Sequence, residues 1–226
     1  MSRRHLAFVL AVAALGVSLL AVAPASAAPG GGECQLQGVA NLTPPLSSSD
    51  GAFTYSFTGA LSGCQSNLAG APTSGNESAG VTQPESVTLT NLTTGTTTTG
   101  TVTYQEPVPT GSGSCGSSNT AGESLTTWAG GTHTVVDYTT NGALAGVALQ
   151  GTVAPAMTLT LVSSSVPAGY SAPATFTVTS DEPSFPAGDG AVGALTFTPT
   201  TQDQNCVTVG VSSANISGTV GIGSQS

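Results

Sequence analysis

The chain has 226 residues, with eleven aspartates and glutamates against two basic residues other than histidine, for a net charge of −9. Both of those, Arg3 and Arg4, fall in the first four residues, so everything downstream lacks arginine clamps, Schiff-base lysines, phosphate cradles and basic grooves. That balance argues against nucleic acid and anionic lipid as partners, since counterion release needs lysine or arginine on the protein.

Residues 1–27 read as an export signal. Arg3 and Arg4 form a positive start, an apolar run extends from Leu6 to Ala23, Pro24 breaks it, and Ala25-Ser26-Ala27 supplies small residues for cleavage. An uncleaved anchor is the rival reading, and the arginine pair leaves general and twin-arginine export both open. Cleavage leaves residues 28–226 as one β-domain, with residues 162–172 as the alternative internal boundary. It also leaves eleven carboxylates and no fixed positive charge, a secreted protein with no membrane anchor.

Threonine (35) and glycine (30) dominate, which favours strands punctuated by turns. The first strand is expected near Cys34 to Ala40. A turn at Pro44 to Gly51 leads into a strand from Ala52 to Leu61, where Phe53, Tyr55 and Phe57 alternate onto one face. Asn67 to Thr82 reads as loop, Ser86 to Leu92 as strand, Thr93 to Gly100 as turn, Thr101 to Gln105 as strand, and Pro107 to Gly122 as a second long loop. Glu123 to Ala129 and Thr132 to Thr139 form a hairpin around a two-residue turn, Gly130-Gly131. Further strands are expected at Leu144 to Val153, Met157 to Val162, Ala174 to Thr179, Leu195 to Thr198, Val207 to Val211 and Ile216 to Val220. Many short strands without helical periodicity predict an all-β sandwich or barrel, and uneven strand lengths favour an antiparallel β-sandwich of immunoglobulin-like or jelly-roll-like type.

Four cysteines in an exported chain predict two disulfides. The midpoint of Cys34 and Cys64 falls in the Pro44 to Gly51 turn, so a hairpin around it brings the two together. Elimination then pairs Cys115 with Cys206, closing about ninety residues and stabilising by roughly 4–5 kcal/mol in the chain-entropy model. No Cys-x-x-Cys exists, so neither a metal nor a cofactor is expected.

Chemistry-bearing residues are few. His133 is the one histidine after the signal, and no Gly-x-Ser-x-Gly accompanies it. A two-residue turn pairs Trp128 with His133, Thr126 with Val135 and Ser124 with Asp137, placing the single tryptophan beside the single histidine. If exposed, that pair is a candidate sugar-stacking platform; if buried, Trp128 is a core anchor. Asp181, Glu182 and Asp189 share a Pro/Gly-rich loop that could offer oxygens to calcium, with a solvated loop as the plainer reading.

The stretch Trp128-Ala129-Gly130-Gly131, followed by Thr132-His133-Thr134-Val135 and later Gln150-Gly151-Thr152-Val153, resembles a class of secreted actinobacterial proteins. So do Cys34 and the run Gly59-Ala60-Leu61-Ser62-Gly63-Cys64. The resemblance covers Cys34 to Val162. It implies a Gly/Thr-rich, disulfide-bonded β-sandwich with no assigned activity, and it transfers no catalytic residue. The leading expectation is a secreted or cell-wall-associated, non-enzymatic structural or interaction protein, with wall or extracellular polysaccharide as candidate partner. A carbohydrate-binding module using an exposed Trp128 face is the alternative, and a secreted hydrolase comes third.

Overall fold

Alternation in the segment around Phe53, Tyr55 and Phe57 turns three aromatic rings toward the inside of a closed wall of strands. The computed structural model describes residues 31–143 and 146–223. The expected signal peptide and Leu144, the expected start of one strand, lie outside these residues.

Eight strand positions close into an antiparallel barrel. β1 (Gly32–Leu46) pairs on one side with β2 (Gly51–Ser66) and on the other with β14 (Val211–Gly223). The wall continues from β14 through β13 (Gly190–Pro199), β9 (Gly146–Ala154) and β8 (His133–Ala143) to β7 (Ser117–Trp128). Two short pieces share the last position, between β7 and β2. β3 (Gly75–Ala79) pairs with Phe57–Leu61 and Leu125–Trp128, while β6 (Thr110–Gly113) pairs with Gly51–Thr54 and Ser118–Ala121.

Between β3 and β6 the chain leaves the wall to build β4 (Thr82–Asn91) and β5 (Thr97–Gln105). Between β9 and β13 it leaves again to build β10 (Ala156–Leu161), a 3-10 turn at Ser163–Ser165, β11 (Tyr170–Ser171) and β12 (Thr175–Thr179). These excursions meet as a second sheet in the order β11-β4-β5-β10-β12. Its inner face, with Val87, Leu89, Val102, Met157 and Leu159, packs on Leu125, Val135 and Ala154 of the outer barrel wall. Each such side chain, fully buried, stabilises by about 1.5–3 kcal/mol.

The expected sandwich is therefore replaced by a barrel with a sheet laid against it. Inside/outside alternation is common to both architectures; what separates them is whether the first and last strands find each other, and here Gly32 pairs with Ile222. Small residues inside strands also misled. β2 runs on through Ser62 and Gly63 to Ser66 rather than ending at Leu61. Gly38 permits close passage there: a Cβ on it would lie 2.4 Å from the Thr58 carbonyl oxygen and 2.6 Å from the Phe57 ring. The segment expected as a strand from Val207 is loop, with Val207 80% exposed, and β14 starts only at Val211.

Two disulfides staple the barrel. Cys34–Cys64 joins β1 to β2 with Cα atoms 4.0 Å apart, and Cys115–Cys206 joins two loops with Cα atoms 6.2 Å apart. The β1–β2 turn is held there too, because Cys115 N donates to Ser47 O and Ser48 N to Cys206 O.

Candidate functional site: the barrel lumen

The lumen wall has two chemistries. From β1, β2, β9, β13 and β14 come Leu36, Phe57, Leu149, Phe197 and Ile216, while β7 and β8 contribute Ser118, Thr120, Ser124, Tyr138 and Thr140. These residues enclose a cavity of about 110 Å³. Several lining side chains are only half-buried, Leu149, Phe197 and Ile216 among them, although they point into the barrel; their remaining surface faces the cavity. Eight-stranded barrels are either filled by their own side chains or hold one small ligand, and this one is incompletely filled.

Hydroxyls along β7 and β8 form a chain with β2. Tyr55 Oη lies 2.5 Å from Tyr138 Oη and 3.2 Å from Thr120 Oγ1, which in turn lies 2.7 Å from Thr140 Oγ1. Burial pushes both phenols above their ordinary range; at Tyr138 the neighbouring Tyr55 adds to the effect.

Glu77 stands beside this chain on β3. Glu77 is half-buried, and it lines the lumen. Burial raises its pKa, and a hydrogen bond with Ser124 on adjacent β7 opposes the rise. A smaller cavity of about 40 Å³ continues past Glu77 and Ser124 to Trp128 and Phe185, so the carboxyl lies where the two spaces meet.

Phe185 plugs that end of the barrel. Its ring sits 5.4 Å from the Trp128 indole, centroid to centroid. The plug loop is tied down by Glu182, which accepts from Thr132 Oγ1 at 2.5 Å and from Ser184 N at 3.0 Å. Glu182 thus serves the loop itself, and among the described residues no group of three or more His, Cys, Asp or Glu side chains is arranged to hold a metal.

The expected Trp128–His133 platform is not present. The hairpin loop has three residues, Ala129, Gly130 and Gly131: Trp128 N donates to Thr132 O, Gly131 N donates to Trp128 O, and Gly131 takes φ +86°. The register is therefore Thr127 with His133, Leu125 with Val135 and Glu123 with Asp137. A one-residue slip exchanges the faces of a strand. Trp128 turns inward, 3% exposed, and donates its indole N–H to Thr134 Oγ1 at 2.8 Å. His133 turns outward, half-buried, with Nδ1 3.6 Å from Asp181 Oδ1. Burial removes the stacking surface on which the sugar-binding reading of Trp128 rested.

The true register brings Glu123 directly opposite Asp137, a pair the slipped one hid. Burial first, then the Asp137 charge and hydrogen bond, raise Glu123. Glu77 was missed for a different reason, because it falls in the Gly/Ser/Asn-rich stretch read as loop. The run Gly75-Asn76-Glu77-Ser78-Ala79 carries no apolar alternation that would have marked it as a strand.

No family model, curated protein or solved structure matches this chain.

Proposed function

We propose that this chain is an exported, non-enzymatic binding protein that works outside the cell and holds a small, mostly apolar ligand inside its barrel. The incompletely filled lumen carries the reading: apolar side chains on one half, hydroxyls and one carboxyl on the other. Two disulfides suit an oxidising compartment. The outer wall supports action in water, since Gln35, Gln37, Thr54, Thr58, Thr139 and Asn141 lie where a membrane barrel would carry an apolar band.

The test is ligand-observed NMR with small apolar probes on the exported chain and on Val147→Phe, which places a ring in the lumen. Saturable binding to the parent, lost in the variant, is the expected result. Absence of saturable binding to the parent overturns the container reading.

A second reading rests on the outer face of the second sheet. Thr88, Thr99, Thr101, Thr158, Thr160 and Thr177 are exposed there and uncharged. Such a surface can hydrogen-bond wall or extracellular polysaccharide without an indole. Retention on insoluble wall polymers, abolished by Thr99→Glu with Thr160→Glu, supports it; no retention sinks it.

A further inference from the structure

We infer that the lumen takes a small cationic amine, its ammonium held by the Glu77 carboxylate and its hydrocarbon body laid against the apolar half of the wall. This rests on the container reading above.

The first ground is an unmatched charge requirement. A carboxylate taken out of water needs a proton or a cation beside it. This chain has no lysine, its two arginines are Arg3 and Arg4, and His133 is on the outer face of β8 with Asp181. Ser124 lines the same space and offsets the effect of burial on Glu77 only in part. An ammonium ligand would supply the missing countercharge.

The second ground is the set of groups around the carboxyl. Tyr55, Thr120 and Tyr138 line the same cavity as Glu77. Phenolic and hydroxyl oxygens can accept the remaining N–H bonds of an ammonium, and aromatic faces attract cations. An anionic ligand would instead meet Glu77 at close range in a low dielectric. The surplus of carboxylates over the whole chain also draws cations toward the protein.

Size is the third ground. At about 110 Å³ the lumen cavity is smaller than the roughly 150 Å³ engineered apolar cavity that accommodates benzene. A hydrocarbon of about four or five carbons is therefore the scale to test.

Isobutylamine, isobutanol and isobutyrate share one shape and differ in their polar head. Calorimetric or NMR titration of the exported chain near neutral pH should find the amine bound at least about tenfold more tightly than the alcohol, the difference one charge-assisted hydrogen bond supplies. Isobutyrate should not bind. Glu77→Gln, nearly isosteric, should bring the amine to the level of the alcohol. If the parent protein binds isobutanol as tightly as isobutylamine, or Glu77→Gln keeps the amine preference, the amine assignment is wrong while the container reading stands. If none of the three binds and apolar probes also fail to enter, the container reading itself falls. The comparison of ligands on the parent needs no variant to fold.

Discussion

The indole nitrogen of Trp128 donates to the Thr134 hydroxyl across neighbouring strands, inside the barrel. The bond closes over a ring that the Phe185 plug covers from above. It is also the one tryptophan of the chain, which makes it a clean optical probe. Its emission should be blue-shifted and shielded from iodide, and addition of soluble wall polysaccharide should leave it unchanged. Trp128→Phe keeps a ring but strands the Thr134 hydroxyl, and should lower stability by about 1–2 kcal/mol in urea denaturation. Red-shifted, freely quenched emission would contradict the inward register.

Glu106 is expected to matter more than any other acid for stability. It is 1% exposed and sits where the excursion to the second sheet begins and ends. Its carboxyl accepts from Ser78 Oγ at 2.7 Å, Gln83 Nε2 at 2.8 Å and Val81 N at 3.1 Å. Glu106→Ala leaves three donors without their acceptor and should cost about 2–4 kcal/mol, with Glu106→Gln milder. Urea midpoints of the two variants check the order; an alanine variant as stable as the parent would remove this role.

Stability should fall as the solution becomes more alkaline. Glu77, Glu85, Glu123 and Asp189 are all raised above their ordinary values, with burial the first cause in each. A carboxyl raised in the folded state adds stability that is fully present below its unfolded pKa, about 4, and lost as pH climbs through the folded value. Exposed Asp203, lowered chiefly by its hydrogen bond with Thr201, acts in the opposite direction. Thermal melts between about pH 4 and pH 8 should therefore show a declining midpoint. Glu77→Gln should flatten that decline and raise the midpoint at the alkaline end by a few degrees. A midpoint that rises with pH would count against a wrapped, carboxylate-bearing lumen.

Short-range features were legible in the sequence and closure was not. The alternation of Phe53, Tyr55 and Phe57 marks an inward face because side-chain period alone decides it. The turn between Cys34 and Cys64 is local, and β1 and β2 pair around it from Thr43 with Thr54 back to Gly32 with Ser66. Whether Gly130-Gly131 is the whole loop or two-thirds of it depends on one hydrogen bond, Trp128 N to Thr132 O, and composition allows either. That single residue decided the faces of both Trp128 and His133. Glu77 needed knowledge of its partners: β3 has five residues, and only β2 and β7 on either side make it a strand. The barrel needed the longest-range pairing of all, β1 with β14, which no local pattern announces.

The divided strand between β2 and β7 bears on how quickly this protein reaches its folded state. β3 and β6 occupy one position in the wall, yet residues 80–109 separate them, and elsewhere in the wall β1 pairs with β14, far away in the sequence. No run of neighbours can zip this circumference shut. Such topology predicts slow assembly for a domain of this length, on the order of milliseconds to seconds or longer, because loop-closure entropy is spent before the distant pairings form. Until then the apolar inner faces of β1, β2 and β14 stay accessible, so a chain emerging unfolded outside a cell would depend on a low local concentration, or on a holding factor, to avoid strand-to-strand association.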